Sequence, residues 1–411
     1  MTARGARARI DSLDALRGLA LFGIMISHLQ YVFDPIVLAP FPAPPGSFWG
    51  DTLAYWAMAL LAGGTTYLAL FAALFGGGLA LMLDHEGVGR ARVTRRLVLL
   101  LVLGGLHGVL LWTGDILAAL ALMGLAVVWG LSFVPRRWLW PVALGLIALE
   151  LALEWYWASA FSFDRASVLD WWSSTYDPER DISGPPYAPT IGTSYLANVG
   201  HRLELMLHYY RYGLYWLPGI AGYMVIGVWL VRSGVVTHPG AHARRLWRWR
   251  WYGLAGAVVA LTLATLALHG ERTWVARPPL AIGLTLEAIG KVCLVLGLVG
   301  VFFRFTVRLH WLAPVGQMSL SLYLLQSCVW VAFIHGIEVG WNSGLLSPAL
   351  QAIFGLWLFA VLVALAHWWL ARFRLGPFEW AWRSLTAGRG LALRIPGADH
   401  ADGKAAASSG G

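Results

Sequence analysis

Between residues 97 and 112 the chain is apolar except for one histidine, His107, and an aspartate, Asp115, follows eight residues beyond it. Histidine titrates near neutral pH, so an imidazole held in a membrane is a ready general base. Such a base can take a proton from a hydroxyl or amine, with neighbouring donors to hold a developing oxyanion. His107 is the candidate base. Asp115 could orient it only where the chain bends back, because eight residues rise about 12 Å along a straight helix. Binding an acceptor or orienting His28 suits Asp115 better, and so does capping the next helix through Gly114-Asp115.

Other polar residues stand in similar surroundings, and each has two readings. Glu287 and Lys291 share a helix face at i,i+4 and fit either a neutralising ion pair or part of a binding site. His28 fits a helix–helix hydrogen bond or a substrate contact. Tyr323 and Gln326 fit ordinary packing, or carbonyl and oxyanion donors. His107 itself lies among Gly104, Gly105 and Gly108, which also suits close helix packing. Cys293 and Cys328 both lie in apolar runs and read as small core residues, not as a disulfide or a metal site.

These side chains must be positioned by membrane-crossing helices. The chain is 58% hydrophobic and only 12% charged over 411 residues, against about 25% charged in a soluble domain. The expected fold is all-α and polytopic, with about ten spans: 13–32, 66–83, 97–112, 116–133, 139–157, 215–231, 251–268, 280–303, 312–334 and 350–370. The net charge of +9 is no nucleic-acid signal, because the arginines fall in short clusters between apolar runs. With the N-terminus inside, every second connection is basic, which places both termini in the cytoplasm and the lipid bilayer as the chain's first partner. No cleavage site follows the arginine-rich start, so the first span reads as uncleaved.

The expected organisation is four helices over 1–134, a fifth helix and a long acidic outer segment over 135–212, five more helices over 213–390, and a disordered Gly/Ala/Ser-rich tail over 391–411. A proline- and aromatic-rich loop occupies 35–49, a short interfacial helix 53–62, and an amphipathic stretch 201–212.

Depth connects the polar residues. His107 lies 12 residues above Arg95, roughly 18 Å, and His28 14 residues above Asp14, roughly 21 Å. Lys291, counted from Arg304, lies about 20 Å up, and Tyr323 and Gln326, counted from Arg308, roughly 22–27 Å. All gather in the outer half of the bilayer, which predicts a polar cavity opening to the outside.

Four stretches together resemble the YeiB-like bacterial membrane proteins, whose C-terminal half is known as domain of unknown function 418. They are Arg9-Ile10-Asp11-Ser12-Leu13-Asp14-Ala15-Leu16-Arg17-Gly18; Leu74-Phe75-Gly76-Gly77-Gly78; Arg95-Arg96 through His107 to Trp112-Thr113-Gly114-Asp115; and Gly316-Gln317-Met318-Ser319 through Tyr323, Gln326 and Ser327 to Gly376-Pro377-Phe378-Glu379-Trp380. That family is grouped with transmembrane acyltransferases related to the lysosomal heparan-glucosaminide acetyltransferase. The resemblance implies a bacterial cytoplasmic-membrane protein. It would pass an acyl group from cytosolic acyl-CoA or acetyl-CoA to a small-molecule, lipid or glycan acceptor outside, without a metal. Arg95 and Arg96 would then hold the CoA phosphates, or simply mark topology. Two positions depart from the family pattern: His28 stands where an asparagine is usual, and Thr65-Thr66-Tyr67 where a basic residue is common.

A transporter or exporter would also place polar groups at mid-membrane, with broken helices and repeated halves; no convincing repeat is visible. A non-catalytic sensor would use the acidic segment 159–198 as its binding surface.

Overall fold

The computed structural model describes residues 3–33, 50, 53–54, 57–58, 66–85, 89–112, 114–131, 133–160, 195–212, 214–269, 277–304, 309–336 and 347–395. The loop 35–49, most of the interfacial helix 53–62, Thr65, Thr113, nearly all of the acidic segment 159–198 and the tail from 396 onward lie outside the described residues.

A helix occupies each of the ten apolar runs. They are α1 (Ala3–Phe33), α2 (Thr66–Leu83), α3 (Arg90–Leu110), α4 (Leu117–Ala126, prolonged by a π-helical turn, Val127–Leu131), α5 (Leu139–Ala160), α7 (Leu217–Arg232), α9 (Leu254–His269), α10 (Arg277–Arg304), the pair α11 (Ala313–Gln317) and α12 (Ser319–Gly336), and α13 (Pro348–Leu370). Three shorter or amphipathic helices complete the set: α6 (Tyr195–Tyr212), α8 (Ala243–Arg248) and α14 (Pro377–Ala387). Among the described residues, seven helices are long and apolar enough to cross a bilayer, or eight when the bent pair α11–α12 is one span.

Large apolar side chains stay exposed on these helices, such as Val98, Val102 and Leu106 on α3 and Ile353, Leu356 and Trp357 on α13. Aqueous solvent would penalise that surface, whereas hydrocarbon accepts it once the helix has satisfied its own backbone. The protein is therefore a multi-pass helical membrane protein. Its interior is built by α1, α2 and α7, where Leu16, Leu21, Met25, Leu70, Met224 and Ile226 are all but inaccessible. Contrary to the reading of both cysteines as core residues, Cys293 is only half-buried and Cys328 is exposed.

The ninth span is not continuous. Its two halves meet at 74°, the break falling at Met318. Pro314 occupies the first turn of α11, where its missing N–H costs nothing. Gly316 lies so close to α1 that a Cβ there would collide with the Asp14 carbonyl. The first turn of α12 leaves orphan N–H groups, and a carboxylate from another helix takes them. Leu320 N–H and Ser321 N–H donate to Glu379 Oε1 of α14 at 2.7 and 3.1 Å, and the Ser321 hydroxyl donates to Glu379 Oε2. After α14 the chain turns back, and Arg374 N–H donates to Leu393 O at 2.8 Å, which ties residues 391–395 to the end of α13.

Candidate functional site

α3 ends one turn beyond His107. Leu111 N–H and Trp112 N–H both donate to the His107 carbonyl, at 2.8 and 2.9 Å, and close the helix. From the other side α6 fixes this end: Arg202 donates from Nε to Val109 O at 2.9 Å and from Nη2 to Leu110 O at 3.1 Å. The chain then folds back and returns Asp115 to α3. Gly104 makes room, because a Cβ there would lie 2.7 Å from Asp115 Oδ2.

The outcome corrects the expectation that Asp115 lies beyond reach of His107. Asp115 Oδ1 is 2.8 Å from His107 Nδ1, and the two side chains are 1% and 0% exposed. The same carboxylate caps α4, Oδ2 accepting from Ala118 N–H at 2.7 Å. Capping and orienting are thus simultaneous, one oxygen for each.

His107 Nε2 faces α12, 2.9 Å from Ser327 Oγ. Ser327 is fully buried and also lies 3.2 Å from the Tyr323 carbonyl, one turn earlier on its own helix. The Tyr323 ring packs 5.0 Å from the His107 imidazole and 6.0 Å from that of His28. The Tyr323 hydroxyl accepts from Ile116 N–H at 3.3 Å, beside Asp115 in the returning strand of chain. His28 in turn lies 5.7 Å from the Trp112 indole. Five residues singled out from sequence, His28, His107, Asp115, Tyr323 and Gln326, come from α1, α3 and α12 and the α3–α4 turn. The first four form one contact chain.

Two of these carry buried polar atoms that the described residues leave unpartnered. His28 Nδ1 and both amide atoms of Gln326 are buried with no hydrogen-bond partner among the described residues. Buried polar groups are nearly always paired, so each such atom calls for a ligand, water or catalytic role.

A cavity of roughly 600 Å³ adjoins this cluster. Its lining on α1 runs through Asp14, Arg17, Leu21 and Ile24, about 15 Å along the helix axis. Its deep end is lined by Ile116, Leu117 and Tyr323, and its polar end by four arginines, Arg17, Arg96, Arg374 and Arg383, against two carboxylates, Asp14 and Glu379. Arg17 pairs with Asp14 at 2.6 Å. The Arg96 guanidinium lies 3.8 Å over the Trp382 ring, whose Nε1–H donates to Arg96 O at 2.9 Å. Outside the spans, burial pushes the Glu379 carboxyl above the usual glutamate range and the Arg383 guanidinium below its own.

Of the polar residues expected to line a cavity opening to the outer side, Tyr323 lines this one, and His28, His107, Asp115 and Gln326 do not. The cavity's polar end lies among the arginines, on the side that the positive-inside rule gives to the cytoplasm. Arg96 lines it, while Arg95 is exposed and lies by Gly388 at the end of α14. Glu287 and Lys291 form their ion pair, 2.7 Å long, on α10, and neither lines this cavity. Lys291 also interacts electrostatically with Glu150, Glu154 and Tyr223 on α5 and α7.

Sequence reasoning missed Ser327, Arg17 and Glu379 as site residues. Ser327 had one legible signal: it follows Tyr323 by four residues, so both share a helix face. Glu379 is the acidic residue of an otherwise apolar first turn, but nothing in the sequence names its partner 59 residues away.

Residues 230–389 match the family described as "Protein of unknown function (DUF418)". The chain is 31% identical over 396 residues to the "Uncharacterized protein YeiB" of Escherichia coli (strain K12), covering 91% of this chain and 95% of that one. It is 25% identical over 422 residues to the "Uncharacterized protein YxaH" of Bacillus subtilis (strain 168), covering 92% and 94%. No solved structure matches. With likeness at this level over nine-tenths of its length, this chain belongs to the YeiB-like family.

Proposed function

We propose that this protein is an acyltransferase of the bacterial cytoplasmic membrane. It takes an acyl group from cytosolic acyl-CoA, such as acetyl-CoA, and passes it to a small-molecule, lipid or glycan acceptor on the outer side. The observation that carries this reading is the buried Asp115–His107 pair beside a cavity that begins among arginines. A carboxylate on Nδ1 fixes the imidazole tautomer and leaves Nε2 basic, the arrangement general-base catalysis requires.

The cavity fits the donor. Arginine forks suit phosphate oxygens, and four of them outnumber the two carboxylates at the polar end. Leu21, Ile24, Leu117 and Leu120 give the deeper wall the apolar character a pantetheine arm and short acyl chain need. A volume near 600 Å³ is in the ordinary range for an organic ligand. Acyl-CoA would enter from the arginine end, with Arg96 and Arg383 on its phosphates and its thioester toward Tyr323. His107 would take the acceptor's proton as it attacks, and Gln326 and His28, with unused polar atoms, are the residues to meet acceptor or oxyanion.

The 74° break in the ninth span favours a second reading, a transporter, because discontinuous helices build transport sites. One experiment separates the two. Protein reconstituted in liposomes is given radiolabelled acetyl-CoA with membrane lipid and glycan extracts. Label in the extract supports acyl transfer. Absence of label, together with proton- or ion-coupled solute flux, supports transport.

A further inference from the structure

We propose that Ser327 carries the acyl group as a covalent ester between the two halves of the reaction. This deepens the acyltransferase reading and rests on it.

Asp115 has both oxygens engaged, one by His107 Nδ1 and one by Ala118 N–H. His107 Nδ1 therefore bears the hydrogen, and the Nε2 lone pair faces Ser327 Oγ at 2.9 Å. The Ser327 hydroxyl has one proton and two acceptors within reach, His107 Nε2 at 2.9 Å and Tyr323 O at 3.2 Å. With His107 neutral, only donation to Nε2 satisfies the imidazole. A serine placed merely to pack on a helix needs no more than its i−4 carbonyl. Here the carbonyl is the longer contact, and the order carboxylate, imidazole, hydroxyl is that of an activated nucleophile.

Surroundings support the role. Ser327 is fully buried, so an ester formed on it is shielded from hydrolysis. Tyr323, four residues earlier, lines the cavity and packs against the His107 ring. An acyl group entering from the cavity would reach Oγ past the Tyr323 ring. Gln326, adjacent in sequence, has a buried amide with no partner among the described residues.

In the first half-reaction Ser327 Oγ attacks the thioester carbonyl and its proton passes to His107 Nε2. The C–S bond breaks, and the proton goes on to the departing sulfur, releasing the free thiol. In the second half an acceptor hydroxyl or amine attacks the serine ester and gives its proton to Nε2. The ester C–O bond breaks, and that proton returns to Ser327 Oγ.

The test uses the full-length protein in liposomes with radiolabelled acetyl-CoA and no acceptor, quenched in acid and followed by peptide mass spectrometry. Wild type should hold a hydroxylamine-labile acetyl group on the peptide containing Ser327. Ser327→Ala should lose it while keeping its melting temperature, and should transfer to extract about 10²–10⁴-fold more slowly. Ser327→Cys should carry the group as a thioester, released by hydroxylamine already at neutral pH. Should Ser327→Ala be folded and transfer at the wild-type rate, or should the label lie on His107, the ester is excluded and the acyltransferase reading stands. If wild type neither takes label nor transfers it, both fall.

Discussion

His107 Nδ1 and Asp115 Oδ1 lie 2.8 Å apart although eight residues separate them, because α3 stops at Leu110 and the chain doubles back on it. Both side chains are out of reach of water. A neutral hydrogen bond between exposed groups would contribute about 1 kcal/mol, but a charge-assisted one in a low-dielectric interior is stronger and fixes geometry. The pair thus joins the histidine of the third span and the aspartate of the turn that follows it into one unit.

Asp115→Asn tests what the carboxylate does. An amide can still accept from Ala118 N–H, so α4 keeps its cap. Its NH₂ would donate to Nδ1, which inverts the tautomer and points an N–H at Ser327. Transfer should fall by about 10²–10⁴-fold in kcat with little change in melting temperature. Kinetics and thermal unfolding on the same preparation check both.

The arginine end of the cavity makes a binding prediction. Arg96→Ala and Arg383→Ala should each raise KM for acetyl-CoA about tenfold, the loss expected of one charge-assisted contact near 1.4 kcal/mol. The effect should shrink as salt rises. With an acetyl thioester of pantetheine, which has no nucleotide, the variants should match wild type. Steady-state kinetics with both donors checks it.

Glu379 anchors the broken span. Glu379→Ala strips two buried N–H groups and a hydroxyl of their acceptor and should destabilise by about 2–4 kcal/mol. Its acidity adds a pH signature. Burial holds the carboxyl above the usual range, so the folded protein keeps a proton the unfolded chain has released. That contribution is complete below the ordinary glutamate range and is lost as pH rises through the raised value. Thermal unfolding across that window should show the decline in wild type and not in Glu379→Gln.

Lys291 tests whether the α10 pair is a neutralising device. Lys291→Met leaves Glu287 and its neighbour Glu150 facing each other without a cation, which should cost about 3–5 kcal/mol. Adding Glu287→Gln should recover much of that, and the double variant should retain acyl transfer, since neither residue lines the cavity. Loss of transfer in a stable double variant would assign the pair a functional role.

Legibility from sequence followed how local each cause is. The second span was readable to the residue, Thr66–Leu83, because an apolar run with basic loops around the next helix leaves one solution. The ninth span read as continuous. Pro314 and Gly316 were visible, but the break depends on Glu379 arriving from α14 to take the N–H groups of Leu320 and Ser321. The same holds at the site. Helical rise put His107, His28 and Tyr323 at one depth, and they are neighbours. It kept Asp115 away from His107, because the end of α3 is held by Arg202, 92 residues further along the chain. The arginine-lined cavity was illegible for a similar reason: Arg17, Arg96 and the stretch that carries Arg374 and Arg383 lie far apart in sequence, and only folding gathers them.

The most direct measurement compares wild type, His107→Gln and Asp115→Asn in the liposome transfer assay, each shown to be folded by its melting temperature. Catalysis by the Asp115–His107 pair predicts label in the acceptor extract with wild type, a loss of about 10²-fold or more in Asp115→Asn, and none detectable in His107→Gln. Transfer by His107→Gln at the wild-type rate, or no transfer by any of the three, would contradict it.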